Sequence, residues 1–341
     1  MRILIVKLSS LGDVVHAMPA IQDIRRALPQ ARVDWLVEPG FAPLVQRVEG
    51  VAEVIPVALR RWRSAWWTGQ VRREFGELRR RLGAGAGYDA VIDLQGLSKS
   101  ALLGRLARLA PGGHRFGLGN RTEGAGWEPA ARWLVDRPIA IEPHIHAMER
   151  SRVLCAKALG YTAAGRPRYG LLARPAPPVD RTPTVAFVHG TSRDDKLWPH
   201  AHWIALGKRV LAQGWRIVLP QGSEAEQTRA EMIAAALQFE RAPVVQVWTS
   251  AGLDAQVDRL AGVQGVIGVD SGLSHIAVAL NLPHVQIYNF ATAWRTGPQL
   301  SHGHAHQISV GDGGRSVPSV DAVWSAWQSV MPETLGATAP R

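Results

Sequence analysis

Nine short runs of apolar, largely β-branched residues recur along the chain. Ile3–Val6, Val33–Val37, Val54–Val57 and Ala90–Leu94 fall in the first half. Thr184–His189, Arg216–Leu219, Val244–Val247, Val266–Val269 and Val285–Tyr288 fall in the second. Most are continuous rather than alternating, which is what parallel strands covered on both faces require. Helix-like stretches separate many of them, so the pattern predicts a doubly wound α/β architecture. It breaks between Gly160 and Pro183, where segments rich in Pro, Ala and Gly surround one strand-like piece, Tyr169–Leu172. The alternation then restarts. The chain therefore reads as two Rossmann-like domains, residues 1–172 and 183–331, expected to face each other across a cleft. A final helix over 319–330 carries Val320, Val323, Trp324 and Trp327 on one stripe and is expected to dock, with the first domain as one candidate surface. Residues 332–341 read as a tail.

Charge divides the chain in the same place. Of a net +11, residues 1–180 hold 27 Lys and Arg against 16 Asp and Glu, whereas residues 181–341 hold 12 of each. The excess is thus confined to the first half, which should attract an anion: nucleic acid, a phosphorylated glycolipid or a membrane surface. The alternative is a set of Arg-rich helices that are merely solvated. No run long and apolar enough to span a membrane occurs, and Met1-Arg2 leads straight into a strand without a signal-peptide pattern. The single cysteine, Cys155, excludes an internal disulfide framework and lies in the helical pattern Ser151–Leu159. These features predict a reducing, cytoplasmic location.

Four clusters could carry chemistry. In the first, Lys7-Leu-Ser-Ser-Leu-Gly-Asp13 links the first strand to a helix predicted over Val14–Leu28. In open α/β sheets ligands lie beyond the carboxyl ends of the strands, so Lys7, Ser9, Ser10 and Asp13 belong at the mouth of a binding crevice. One Gly stands where a dinucleotide fingerprint needs three, and the loop is no P-loop. Asp13 is open to two readings: a reactive carboxylate, or a first-turn residue stabilised by the helix dipole. The second cluster is His189-Gly-Thr-Ser-Arg-Asp-Asp-Lys196-Leu-Trp-Pro199. There Gly190, Thr191, Ser192 and Lys196 suit a phosphate, unless they form only a polar turn beside a solvated lysine. The third is Gly268-Val-Asp270-Ser-Gly-Leu-Ser-His275, in which Ser271 and Gly272 open a helix and offer their N–H groups to an anion. His275 could donate to that anion or be a satisfied core histidine. Asp270 could cap the helix or hold a sugar hydroxyl. The fourth is Arg60-Arg-Trp-Arg63-Ser-Ala-Trp-Trp67. Its composition suits a membrane interface, stacking of nucleobases, or a solvated basic face over a Trp contact.

Other chemistries find less support. His144 and His146, with Glu142 and Glu149 nearby, form no metal-ligand framework, and His302 and His304 lie in a Gly-rich loop. No G-x-S-x-G elbow marks a serine nucleophile.

Taken in order, the motifs resemble one family. Lys7-Leu-Ser-Ser-Leu-Gly-Asp-Val-Val-His16, Arg60-Arg-Trp-Arg63, Asp93-Leu-Gln-Gly-Leu-Ser-Lys99-Ser, Arg193-Asp-Asp-Lys-Leu-Trp-Pro199 and Asp270-Ser-Gly-Leu-Ser-His275 look like the lipopolysaccharide heptosyltransferase I family, within glycosyltransferase family 9. The match runs from the first strand through Pro283. The resemblance implies the two-domain GT-B fold. It also implies inverting transfer of L-glycero-D-manno-heptose from ADP-heptose to the inner Kdo of Kdo2-lipid A, without a metal or other cofactor. Asp13 would be the general base, and Lys196 would neutralise charge on the departing ADP. Thr191, Ser192, Ser271, Gly272 and His275 would complete the diphosphate cradle. Glu226 would bind the ribose hydroxyls, and Asp270 the heptose or its surroundings. The first domain would take the acceptor, with Lys7, Ser10, Arg60, Arg61, Arg63, Lys99 and Arg121 as contacts. The three Trp would rest at the cytoplasmic face of the inner membrane as a peripheral contact.

Two other readings compete: a family 9 enzyme acting on a later core heptose, and a non-catalytic basic protein that binds nucleic acid. One departure from the family pattern stands out. Tyr288-Asn-Phe-Ala-Thr-Ala-Trp-Arg295 replaces the usual Tyr-Gly-Pro-Thr-Asp-Pro.

Overall fold

A computed structural model describes residues 1–177, 180–238, 244–299 and 305–331. His302, His304 and the 332–341 tail lie outside those residues. The chain divides into two compact units, Met1–Leu172 and Ala173–Arg341.

The first unit contains β1 (Arg2–Val6), α1 (Leu11–Ala27), β2 (Arg32–Val37), α2 (Ala42–Val45), β3 (Val51–Pro56) and α3 (Leu59–Ser64). It continues through α4 (Gly69–Gly83), β4 (Tyr88–Asp93), α5 (Ser98–Arg105), β5 (Leu109–Leu118), β6 (Arg137–Ile139) and α6 (Ala147–Leu159). The strands form one parallel sheet in the order β3-β2-β1-β4-β5-β6. Ile3 to Val6 are fully buried, as a central strand with helices on both faces must be.

The second unit repeats the plan. It runs β7 (Thr184–Val188), α7 (His200–Ala212), β8 (Arg216–Leu219), α8 (Glu224–Leu237), β9 (Val245–Val247) and α9 (Leu253–Ala261). Then come β10 (Gly265–Val269), α10 (Gly272–Ala279), β11 (His284–Ile287), α11 (Ala293–Thr296), β12 (Gln307–Val310) and α12 (Val320–Val330). Its parallel order, β12-β11-β10-β7-β8-β9, is the first unit's order written with new numbers. In α12, Val323, Ala326, Trp327 and Val330 join the second unit's own core, beside Trp215 and Val285.

Each sheet therefore reverses direction once, between β1 and β4 and between β7 and β10. Those topological switch points are where such sheets leave a crevice outside the strand ends. Among the described residues no helix is long and apolar enough to cross a membrane.

Three strands lie outside the apolar runs. In β5, Pro111-Gly112-Gly113 forms a bulge inside the strand. The pairing jumps from Tyr88–Leu109 to Ala90–His114. A Cβ at Gly113 would sit 2.5 Å from the Tyr88 carbonyl oxygen, so only glycine fits. β6 is three residues long, and β12 carries polar Gln307 and Ser309. Tyr169–Leu172 contributes one antiparallel bridge, between Leu171 and Val48.

Candidate functional site

The loops singled out by the sequence occupy both switch points. In the first unit β1 delivers Lys7–Ser10 to the start of α1. Ser10 is the N-cap residue, and Asp13 lies in the first turn. Asp13 Oδ2 accepts the Ser10 backbone N–H at 3.2 Å and the Ser10 hydroxyl at 2.9 Å. That return bond is half of a capping box and sets the carboxylate at the positive end of the helix.

The other carboxylate oxygen faces two cations. Lys7 Nζ lies 3.5 Å from Asp13 Oδ1, and Arg150 Nη2, from α6, lies 3.8 Å from the same atom. Burial alone would raise the Asp13 pKa. The charges of Lys7 and Arg150 and the two Ser10 bonds outweigh it and hold the carboxyl below its ordinary range. Lys7 is itself buried, which lowers its pKa, and its ammonium donates to the Leu94 carbonyl at 3.2 Å. It points inward, as a partner of Asp13 rather than a surface contact. Asp13 keeps 37% of its side chain exposed against 3% for Lys7, so a ligand hydroxyl can reach it.

The loop after β4 braces this arrangement. Gln95 Oε1 accepts the N–H groups of Leu8 and Ser9 at 3.1 and 3.3 Å. Asp93 Oδ1 accepts from the Gln95 and Gly96 N–H groups, and Oδ2 from the Ser100 hydroxyl. Burial pushes the Asp93 carboxyl up to about 6 against these bonds.

Around this centre lies a rim of exposed cations. Arg60 and Arg63 follow β3, Lys99 follows β4 and Arg121 follows β5, all at the carboxyl edge of the sheet. Arg60 and Lys99 both act on the Glu38 carboxyl, which follows β2. Arg61 is otherwise engaged. It donates to Glu74 Oε2 at 2.7 Å, as does Trp62 Nε1, and together they hold the Glu74 carboxyl down at about 2. The Trp triplet splits: Trp62 is buried against the core, while Trp66 and Trp67 are 67% and 60% exposed and meet edge to face at 6.1 Å.

In the second unit the loops after β7, β8 and β10 converge. Lys196 Nζ donates to Asp270 Oδ2 at 2.6 Å, and His275 Nε2 lies 3.3 Å from Asp270 Oδ1. Burial opposes ionisation of Asp270, yet His275 first and Lys196 second hold its carboxyl far below the ordinary range. Asp270 is not a helix cap. Ser271 holds that position, and Asp270 instead ties Lys196 and His275 together. Thr191 donates through its hydroxyl to the Asp270 carbonyl at 3.0 Å, linking the loop after β7 to the one after β10. Ser192 is exposed beside it.

The first N–H groups of α10, beginning at Gly272, have no partner within the helix, as at any helix start, and so suit an anion. Glu226, one turn into α8, accepts the Gly222 N–H at 2.7 Å. It also lies against Gly190: a Cβ there would fall 2.4 Å from Glu226 Oε1, so glycine is what lets the two loops meet. Lys196, His275, the start of α10 and the Glu226 carboxylate thus come from loops that meet at the carboxyl ends of the strands. Among the described residues no group of three or more His, Cys, Asp or Glu could hold a metal ion.

Four supporting residues escape the sequence reading. Arg150, and Thr122 behind it, come to Asp13 only through packing of distant segments. Asn289, in the divergent segment after β11, donates to the carbonyls of Asp195 and Leu197 at 3.2 and 2.9 Å and so braces the Lys196 loop. Trp198 fixes the same loop from below, buried against Trp203, with its indole N–H on the Pro318 carbonyl.

A profile of glycosyltransferase family 9 (heptosyltransferase) matches residues 75–310. Lipopolysaccharide heptosyltransferase 1 of Escherichia coli K12 is 40% identical over 291 residues, 84% of this chain and 88% of that protein. The protein of the same name from Pseudomonas aeruginosa is 40% identical over 301 residues, 87% and 81% of the two chains. Among solved structures, E. coli heptosyltransferase WaaC with ADP superimposes with a TM-score of 0.80 at 36% identity, covering 95% of this chain and 98% of that one. WaaC with ADP-2-deoxy-2-fluoro heptose gives 0.79 at 38% identity and the same coverage.

Proposed function

The chain belongs to glycosyltransferase family 9, the heptosyltransferases, and on that premise we propose that it moves a heptose from ADP-heptose to the inner Kdo of Kdo2-lipid A, with inversion. The observation that carries this reading is the Asp13 carboxylate, ionised between Lys7, Arg150 and Ser10 yet open to a ligand. As the acceptor hydroxyl oxygen bonds to the anomeric carbon of the donor, its proton passes to Asp13. The bond from that carbon to the ADP oxygen breaks, and the electron pair leaves with the diphosphate. Lys196, His275 and the N–H groups at Ser271 and Gly272 take up the charge, with Thr191 and Ser192 lining the same cradle. Glu226, pinned at Gly222, is aligned for the ribose hydroxyls. Asp270 acts through the Lys196 and His275 side chains that it holds.

A carboxylate whose pKa is lowered is a weaker base at rest. It serves when proton transfer is late and concerted with departure of ADP, because the acceptor hydroxyl acidifies as its oxygen forms the new bond.

The first unit takes the acceptor and the second the donor in this reading. Arg60, Arg63, Lys99 and Arg121 face the carboxylates and phosphates of the acceptor, whereas Arg61, expected with them from the sequence, is held on Glu74. Residues 60–81 alone hold eight Arg against two Glu, over half of the chain's net charge. Trp66 and Trp67 project from that segment, a combination suited to resting on an anionic bilayer where the acceptor resides.

Asp13→Asn tests the mechanism. The turnover number should fall by about 10²- to 10⁴-fold with little change in KM for ADP-heptose. A near-normal turnover number would remove Asp13 from the role of base.

A further inference from the structure

We propose that Arg150 is a positioning residue for the transfer, clamping Asp13 from α6 while Lys7 clamps it from the loop after β1. This rests on Asp13 being the base. The geometry is specific. Lys7 and Arg150 both address Oδ1, whereas both Ser10 donors address Oδ2, so each oxygen of the carboxylate has its own anchor.

Arg150 reaches the site through helix packing. α6 lies along α1, and the two helix starts are held together by His146 and His16. These rings meet edge to face at 5.6 Å, while His146 Nδ1 accepts the Met148 N–H. Arg150 follows one turn into α6 and is itself buried, with Nη1 on the Thr122 hydroxyl at 3.3 Å. Thr122 is buried next to Arg121, so the clamp also ties the acceptor-side loop after β5 to the base.

Both cations are buried, so little water screens the pull of each on Asp13, while the Arg150 charge disfavours that of Lys7. The other titratable groups around this start of α1 are Asp93, which acts on Lys7, and the His16–His146 pair. Arg150 is what keeps the base ionised and aimed if Lys7 shifts when the acceptor binds.

Rates of heptose transfer across pH test this, for Arg150→Met, Arg150→Lys, Thr122→Val and Asp13→Asn, with thermal stability recorded for each. Removing the Arg150 charge should raise the Asp13 pKa. The acid limb of kcat should then move to higher pH by about one unit, and the plateau should fall about tenfold with little change in the donor KM. Arg150→Lys should restore the limb. Thr122→Val keeps the charge but loosens its holder, and should lower the plateau a few-fold without moving the limb. A fall in stability or rate with the limb unmoved in Arg150→Met would make Arg150 merely structural and overturn the proposal. If Arg150→Met fails to fold, Thr122→Val with a full plateau would overturn it. Asp13→Asn with a normal rate would instead sink the base assignment on which the proposal stands.

Discussion

Asp13 and Asp270 are both carboxylates at the start of a helix after a parallel strand, and both are held down by neighbouring cations. They differ in access: Asp13 is 37% exposed and Asp270 only 7%. The first is open to a substrate proton, and the second faces Lys196 and His275. Lys196→Ala should therefore weaken ADP binding by about 10- to 100-fold in calorimetry, since it removes a charged donor and leaves Asp270 short of a partner. Unchanged affinity would move the diphosphate elsewhere. Asp93 gives a separate test. Its carboxyl titrates near 6 in the folded chain, above the unfolded value of about 3.9. The preference for the protonated folded state is thus fully present at low pH and lost as pH rises through that interval. An amide in its place does not titrate, so in denaturant titrations Asp93→Asn should gain on the parent between about pH 4 and 7, by at most on the order of 3 kcal/mol. A constant difference would show that Asp93 ionises normally. Asp13, Lys196 and Asp270 could be read from sequence because each sits a few residues past an apolar run. Arg150 could not, because nothing at position 150 signals that α6 will lie along α1.

Elements place these residues. Nine strands are visible as apolar runs because central parallel strands are buried on both faces and tolerate little else. β5 and β12 escape because their departures from that pattern, a Pro-Gly-Gly bulge and two polar side chains, are answered only by neighbouring strands. Loop–loop contact is equally hidden. Gly190 looks like an ordinary turn residue, yet its bare Cα admits the Glu226 carboxylate. Gly190→Ala should push Glu226 aside and raise KM for ADP-heptose about tenfold while leaving the turnover number nearly intact. An unaltered KM would mean that Glu226 has no part in donor binding. The segment Tyr288–Arg295 departs from the family pattern in sequence but keeps a job: Asn289 holds two carbonyls of the Lys196 loop, and Arg193 lies over the Phe290 ring at 5.9 Å.

At the scale of the molecule, two sheets with one strand order differ in electrostatics, a basic first half and a neutral second half. That asymmetry is plain from composition, and it fits an anionic acceptor on one unit and a nucleotide donor held by local geometry on the other. Trp66→Ala with Trp67→Ala should lower the rate on Kdo2-lipid A in vesicles several-fold. The rate on a deacylated, water-soluble acceptor should stay the same. Equal losses on both acceptors would argue against contact with a bilayer. The most direct test of the whole account is transfer itself, read by mass spectrometry on two acceptors offered with ADP-heptose: Kdo2-lipid A, and Kdo2-lipid A already carrying one heptose. The account predicts a gain of one heptose on the first and none on the second. Heptose added only to the second would make the chain a family 9 enzyme of a later core step, and would contradict the acceptor assigned here.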